Sequence, residues 1–130
     1  MKRALVTLIV ATFAAFASTA AAEITDAHGN TALMVAAATG DTTAVEQLID
    51  DGAEVNAQGR IGNTALIYAA QEGHTRVVEI LVEAGAAVEM RNDFNATAYK
   101  LALGHGHSRI VEIIESAPIR TSSGIVSADF

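Results

Sequence analysis

The chain contains no cysteine and a single proline, and its 130 residues hold only 8 Lys and Arg against 15 Asp and Glu. Without thiols there is no disulfide framework, so the fold has to be held by packing alone. The same absence removes any thiol nucleophile and the cysteine that a lipid anchor at a leader cleavage site would need. Serine is scarce where chemistry would want it. It occurs in the leader (Ser18), at Ser108 and Ser116, and in the last residues, with no Gly-x-Ser-x-Gly elbow to expose a nucleophile. The formal charge of −7 repels phosphate backbones, because nucleic-acid affinity comes largely from Lys and Arg displacing counterions. DNA, RNA and anionic lipid are poor partners for such a surface, and another protein is a better one. The length allows one ordinary domain.

The apolar residues are unevenly spread. A hydrophobic fraction of 51% and a mean hydropathy of +0.32 are high for an acidic chain, and the excess sits at the start. Met1-Lys2-Arg3 precedes an uncharged run from Ala4 to Ala17, followed by Ser18-Thr19-Ala20-Ala21-Ala22. A basic n-region, an apolar h-region and small residues at positions 20 and 22 predict a secretory signal peptide over 1–22, cleaved after Ala22. The apolar run is shorter than the roughly 20 residues that span a bilayer, so no stable membrane anchor is expected. Removing Lys2 and Arg3 leaves six basic residues against 15 acidic ones, a net charge of −9 on residues 23–130. The expected location is a bacterial periplasm or the secreted space.

Beyond the leader the chain is repetitive. A shift of 33 residues aligns Thr31, Thr64 and Thr97; Ala36, Ala69 and Ala102; Gly40, Gly73 and Gly106; and Val45, Val78 and Val111. A fixed period of this size marks stacked units. Each threonine stands before an apolar run, where its hydroxyl can cap a helix start. The first helix of a unit is short, about residues 32–39 and 65–72, and closes at a glycine able to adopt the left-handed conformation. A second helix carries apolar residues at helical spacing: Val45, Leu48 and Ile49; Val77, Val78, Ile80, Leu81 and Val82; Ile110, Val111, Ile113 and Ile114. Two short helices cannot bury their apolar faces alone, and stacked neighbours can.

The wording of these units, Asp26-Ala27-His28-Gly29-Asn30-Thr31-Ala32-Leu33 through Gly52-Ala53-Glu54-Val55-Asn56-Ala57, and Gly62-Asn63-Thr64-Ala65-Leu66 through Gly85-Ala86-Ala87-Val88, closely resembles ankyrin repeats. The resemblance implies an all-α solenoid of three helix-turn-helix units over 23–118, with repeats at about 26–58, 59–91 and 92–118, and a tail at 119–130. It departs from the family pattern where Ala replaces the usual Pro after each capping Thr, which forgoes a preset φ at the first helical position. The third unit departs further: Tyr99 stands for Leu, Leu103 for Ala, Asn95 for Gly and Pro118 for the helix-ending Gly. Terminal repeats are expected to differ because one flank faces water.

The resemblance also implies a non-catalytic protein-binding module, without cofactor and acting as a monomer, in which turns between units project as fingers beside a concave groove. By register the first finger presents Gln58, Arg60 and Ile61, and the second Arg91, Asp93 and Phe94. The floor adds Ala38, Thr39, Gln71, Glu72 and His105, with Tyr68 and Lys100 nearby. Apolar and Arg residues at fingertips bury nothing within a stack and are typical interface anchors. Arg60, Arg91, Lys100 and Arg76 fall on or near fingers and first helices, which suits a partner carrying both charges.

Similar small exported bacterial ankyrin proteins are associated with protection against oxidative stress, for example beside a periplasmic catalase. An immunity protein that neutralises a periplasmic toxin is an alternative. A reading of another class is a small metal-binding protein or enzyme built on His105 and His107, perhaps joined by His74. Two His one residue apart, without a thiol or carboxylate at matching spacing, are a weak ligand set. His74 and His107 also occupy the position after the glycine, where the resemblance assigns the imidazole to supporting the turn, so no metal site is assigned.

Overall fold

The computed structural model of the chain describes Asp26 and residues 28–117, 119–121 and 124–126. Residues 1–25, which include the expected signal peptide, and Ala27, Pro118, residues 122–123 and 127–130 lie outside the described residues.

Among the described residues six helices form three pairs: α1 (Ala32–Thr39) with α2 (Thr42–Asp50), α3 (Ala65–Glu72) with α4 (Thr75–Glu83), and α5 (Ala98–Gly104) with α6 (Ser108–Ser116). Each first helix starts as the threonines predict. Thr31, Thr64 and Thr97 accept hydrogen bonds at Oγ1 from the amides of Met34, Ile67 and Lys100 at 3.3, 3.2 and 3.2 Å. Thr64 is 2% exposed, so no water can replace its hydroxyl as acceptor for the Ile67 amide. Thr64→Ala is expected to lower stability by about 1–2 kcal/mol in urea unfolding, while Thr64→Ser keeps most of it.

The closures also recur. Gly40 and Gly73 follow their helices with φ of 77° and 81°, in the left-handed region. The Asp41 amide then donates to the Ala36 carbonyl and the Gly40 amide to that of Ala37, the two bonds of a Schellman closure. In the third unit α5 ends earlier, at Gly104 with His105 as its cap, rather than next to Gly106. The bonds are the same ones, from His107 to Ala102 and from Gly106 to Leu103, so only the assigned helix boundary shifts. Asn95, standing where the other units have glycine, takes a φ of 61°, a conformation its short polar side chain tolerates.

First helices pack on first helices and second on second, α1 against α3 against α5 and α2 against α4 against α6. Alanines allow this closeness: Ala37, Ala69, Ala70, Ala98 and Ala102 are all 0% exposed. Leu33, Met34, Leu66, Ile67, Leu81 and Ile110 fill the layer between the two rows. Each such side chain contributes about 1.5–3 kcal/mol on burial. The repeats are thus an all-α solenoid. After them, Ile119–Thr121 and Gly124–Val126 pair as a short antiparallel hairpin, β1 and β2, where sequence reading leaves the tail without assigned structure.

Two imidazoles stitch the units together. His74 Nε2 lies 3.0 Å from the Ala38 carbonyl, and His107 Nε2 lies 3.2 Å from the Gln71 carbonyl, so each ring reaches a late carbonyl of the preceding first helix. Those carbonyls lack intrahelical donors at a helix end. The rings rest on the closing glycines. A Cβ built on Gly40 would stand 2.7 Å from His74 Nδ1, and one on Gly73 would stand 2.7 Å from His107 Cε1. These positions therefore need glycine twice over, for backbone conformation and for room.

Candidate binding surface

The three turns that precede the first helices share one backbone design. Asp26, Gly59 and Asn92 stand in register, and each donates its amide to the carbonyl four residues on, at 2.9, 2.9 and 3.0 Å. Side chains tighten two of the three. Asp26 Oδ1 accepts from the amides of His28 and Asn30, and Asn92 Oδ1 accepts from those of Phe94 and Ala96. The Asn30 amide and then that of His28 hold the Asp26 carboxyl below its usual range. Its support for this turn is therefore present above the ordinary carboxylate value and is lost as pH falls through the lowered one.

Cross-links set the spacing of the fingers. Asp93 donates its amide to the Ile61 carbonyl at 2.9 Å, and Asn92 Nδ2 donates to Asn63 Oδ1 at 2.8 Å. Gln58 Nε2 donates both to Gly62 O and to Arg91 O, each at 3.0 Å. Lower in the same layer, Asn56 accepts from the Ala87 amide at 2.8 Å and donates to Gly85 O at 3.4 Å. Gln58 is thus a staple between fingers, its amide donors committed within the stack. Tyr68 is similarly engaged: it is half-buried and its hydroxyl donates to Asn30 Oδ1 at 2.8 Å, tying α3 to the first turn.

The remaining predicted residues stand on this frame. Arg60 and Ile61 are exposed on the first finger, Ile61 at 40%. Phe94 is 75% exposed on the second, on the same turn as the exposed Arg91 and Asp93, and is not folded back over the third helix pair. Arg91 Nη1 donates to Asn95 Oδ1 at 3.0 Å, and Lys100 Nζ donates to Asn95 O at 3.3 Å, which steers both cations around the same turn. On the floor Glu72 and His105 are exposed and Gln71 is half-buried, with its carbonyl held by His107.

Arg76 does not join this group. It lies on α4 and pairs with Glu79 at 3.2 Å, one turn along the same second helix. Arg109, its register equivalent on α6, pairs with Glu112 at 3.1 Å and reaches Glu79 at 4.0 Å. The expectation that Arg76 sits near the fingers fails because its position opens a second helix, on the opposite row. Among the described residues, Arg60, Arg91 and Lys100 have no carboxylate within ion-pair distance, whereas both second-helix arginines do.

The histidine pair has a different geometry from a chelate. The His105 and His107 rings stack with centroids 6.0 Å apart and planes 20° from parallel, and His107 Nε2 is already engaged by Gln71. Among the described residues no group of three or more His, Cys, Asp or Glu gathers as a metal would require. No helix of the described residues is long and apolar enough to cross a membrane.

Sequence reading passes over two exposed apolar side chains as surface features: Leu103, 59% exposed, and Val35, 42% exposed. The signal for both lies in the register. Leu103 aligns with Ala37 and Ala70, which the following unit covers completely, and Val35 lies on the flank of α1 that no preceding unit covers among the described residues.

Paired helices in a single-file stack, closed by glycines and projecting linked turns to one side, define a repeat scaffold for protein interaction. A family model described as ankyrin repeats in three copies matches residues 43–120, and one for a single ankyrin repeat matches residues 28–57. The chain belongs to the ankyrin-repeat family. No curated protein matches it.

Proposed function

We propose that this ankyrin stack is an exported, non-catalytic module that captures a partner protein in the periplasm through its finger side. The observation that carries the reading is the asymmetry of charge and apolar exposure. The second-helix arginines are neutralised by their own glutamates, while Arg60, Arg91 and Lys100 face outward beside Ile61 and Phe94. Exposed apolar and arginine side chains on turns fixed by cross-links make an arrangement of binding anchors that loses little entropy on association. Glu72 and Asp93 are exposed on the same first-helix and finger elements as these cations, which favours a partner of mixed charge with an apolar socket for Phe94. The leader-like pattern over 1–22 supports export, and the family resemblance supports a role beside enzymes that defend against oxidants.

The test is capture of a partner from periplasmic extract with tagged protein. The combined Arg60→Ala, Ile61→Ala and Phe94→Ala variant is expected to lose capture at least about 100-fold, since two anchors at about 2 kcal/mol each already exceed that. Its melting temperature should stay close to that of the wild type, because none of these three side chains is buried. Undiminished capture by the triple variant would remove the finger assignment.

A further inference from the structure

Asparagines stand at positions 30, 56, 63, 92 and 95, and the fold uses four of them differently from the fifth. The side-chain amide nitrogens of Asn30, Asn56 and Asn92 donate to Asp26 Oδ2, Gly85 O and Asn63 Oδ1 at 3.3, 3.4 and 2.8 Å. Asn63 is 3% exposed. Asn95 is exposed, and only its oxygen is engaged, accepting from Arg91 Nη1 at 3.0 Å. Its Nδ2 has no hydrogen-bond partner among the described residues.

The register explains why a side chain fits at this place alone. Asn95 aligns with Gly29 and Gly62, whose φ values are 80° and 79° against its own 61°. A Cβ built on Gly29 would stand 3.1 Å from Arg60 Cβ, and one on Gly62 would stand 2.9 Å from Asp93 Oδ1 and 3.0 Å from the Asn92 Cα. Each of the first two fingers is thus pressed by the next. The backbone conformation would be met at least as well by glycine at position 95, so the asparagine is not required by the turn. Asn95 is also the one asparagine followed at the second place by a serine or threonine, in Asn95-Ala96-Thr97. That spacing, without proline between, is the acceptor signal for N-linked glycans on surface loops of exported proteins. Asp93, two residues earlier, supplies the acidic side chain of the extended form of the signal read in bacteria.

We propose that Asn95 is an N-glycosylation site, which takes an oligosaccharide from a lipid-diphosphate donor as the chain is exported. Asn95 Nδ2 forms a bond to the anomeric carbon of the sugar. The bond from that carbon to the diphosphate oxygen breaks, the lipid diphosphate leaves with its electron pair, and the amide gives up one proton. The Thr97 hydroxyl, which the signal requires, caps α5 in the folded stack. Transfer therefore belongs to the stage at which the exported chain is still extended, and folding then leaves the modified nitrogen in solvent without breaking a bond of the stack. The inference rests on the export reading, and is independent of which face contacts a partner.

The test is production of the full chain in bacterial cells that carry a membrane asparagine oligosaccharyltransferase with its lipid-linked oligosaccharide, and in which a control acceptor protein is modified. Intact-mass measurement of the exported chain is expected to show a species heavier by one oligosaccharide, and peptide fragmentation should place the added mass on Asn95. Asn95→Gly, the residue of the other two fingers, should abolish the heavier species while its melting temperature stays within about 4 °C of the wild type. The same measurement on residues 23–130 behind a leader of proven export separates the two readings. Modification with that leader but not with the chain's own would overturn export and keep the acceptor assignment. An exported chain without added mass overturns the proposal, and so does a heavier species that persists in Asn95→Gly.

Discussion

Gly73→Ala is expected to destabilise the stack by about 2–3 kcal/mol, and Gly106→Ala by only about 1 kcal/mol, although the two glycines share a register and a backbone conformation. Both have left-handed φ, 81° and 76°, so an alanine meets the same conformational resistance at each. The difference lies in what stands above them. A Cβ on Gly73 meets the His107 ring at 2.7 Å, whereas a Cβ on Gly106 meets nothing within 4 Å among the described residues. Displacing His107 breaks its bond to the Gln71 carbonyl, a further loss of about 0.5–1.5 kcal/mol. Urea unfolding of both single variants measures the gap. A double-mutant cycle of Gly73→Ala with His107→Ala should then return coupling of about 1 kcal/mol or more. Equal effects at Gly73 and Gly106 would mean that the imidazole seat contributes nothing.

The second large effect also comes from comparing one register position in two settings. Ala70→Leu is expected to cost about 3 kcal/mol or more, at the upper end of the about 1–3 kcal/mol typical of overpacking, because Ala70 is 0% exposed where α3 meets the following unit. The extra carbons have to push α3 and α5 apart, and with them the hydrogen bonds linking the second and third units. At position 103 the native leucine is 59% exposed. Leu103→Ala should therefore change stability by less than about 0.5 kcal/mol. Thermal unfolding monitored by circular dichroism distinguishes the outcomes, with Ala70→Leu melting well below the wild type or losing cooperativity.

These contrasts show why so much of the fold was legible in the amino-acid order. Period, caps and closures are local: Thr31, Thr64 and Thr97 cap the helices they precede, and the closing glycines are dictated by backbone conformation alone. The layer core comes from helical spacing, and its alanines from the closeness of neighbouring units. Legibility ended where a side chain's partner lay a whole repeat away. Register places Gln58 on the first finger and Tyr68 near the groove, and each donates across the unit boundary, to Arg91 O and to Asn30 Oδ1, which register alone does not show. The charge of Arg76 suggests a finger neighbour, whereas its place on α4 sets it on the second-helix row.

The binding reading rests on the finger side being the contacting side, and site-specific photo-crosslinking tests that most directly. A benzoylphenylalanine placed at Phe94, where the native ring is already aromatic and 75% exposed, should crosslink a periplasmic partner in intact cells. The same probe at Glu112, exposed on the second-helix row, should not. A discrete adduct from position 94 that is absent from position 112, and that disappears with Arg60→Ala and Ile61→Ala, is the predicted result. An adduct from position 112 with none from position 94 would contradict the account and place the partner on the opposite face of the stack.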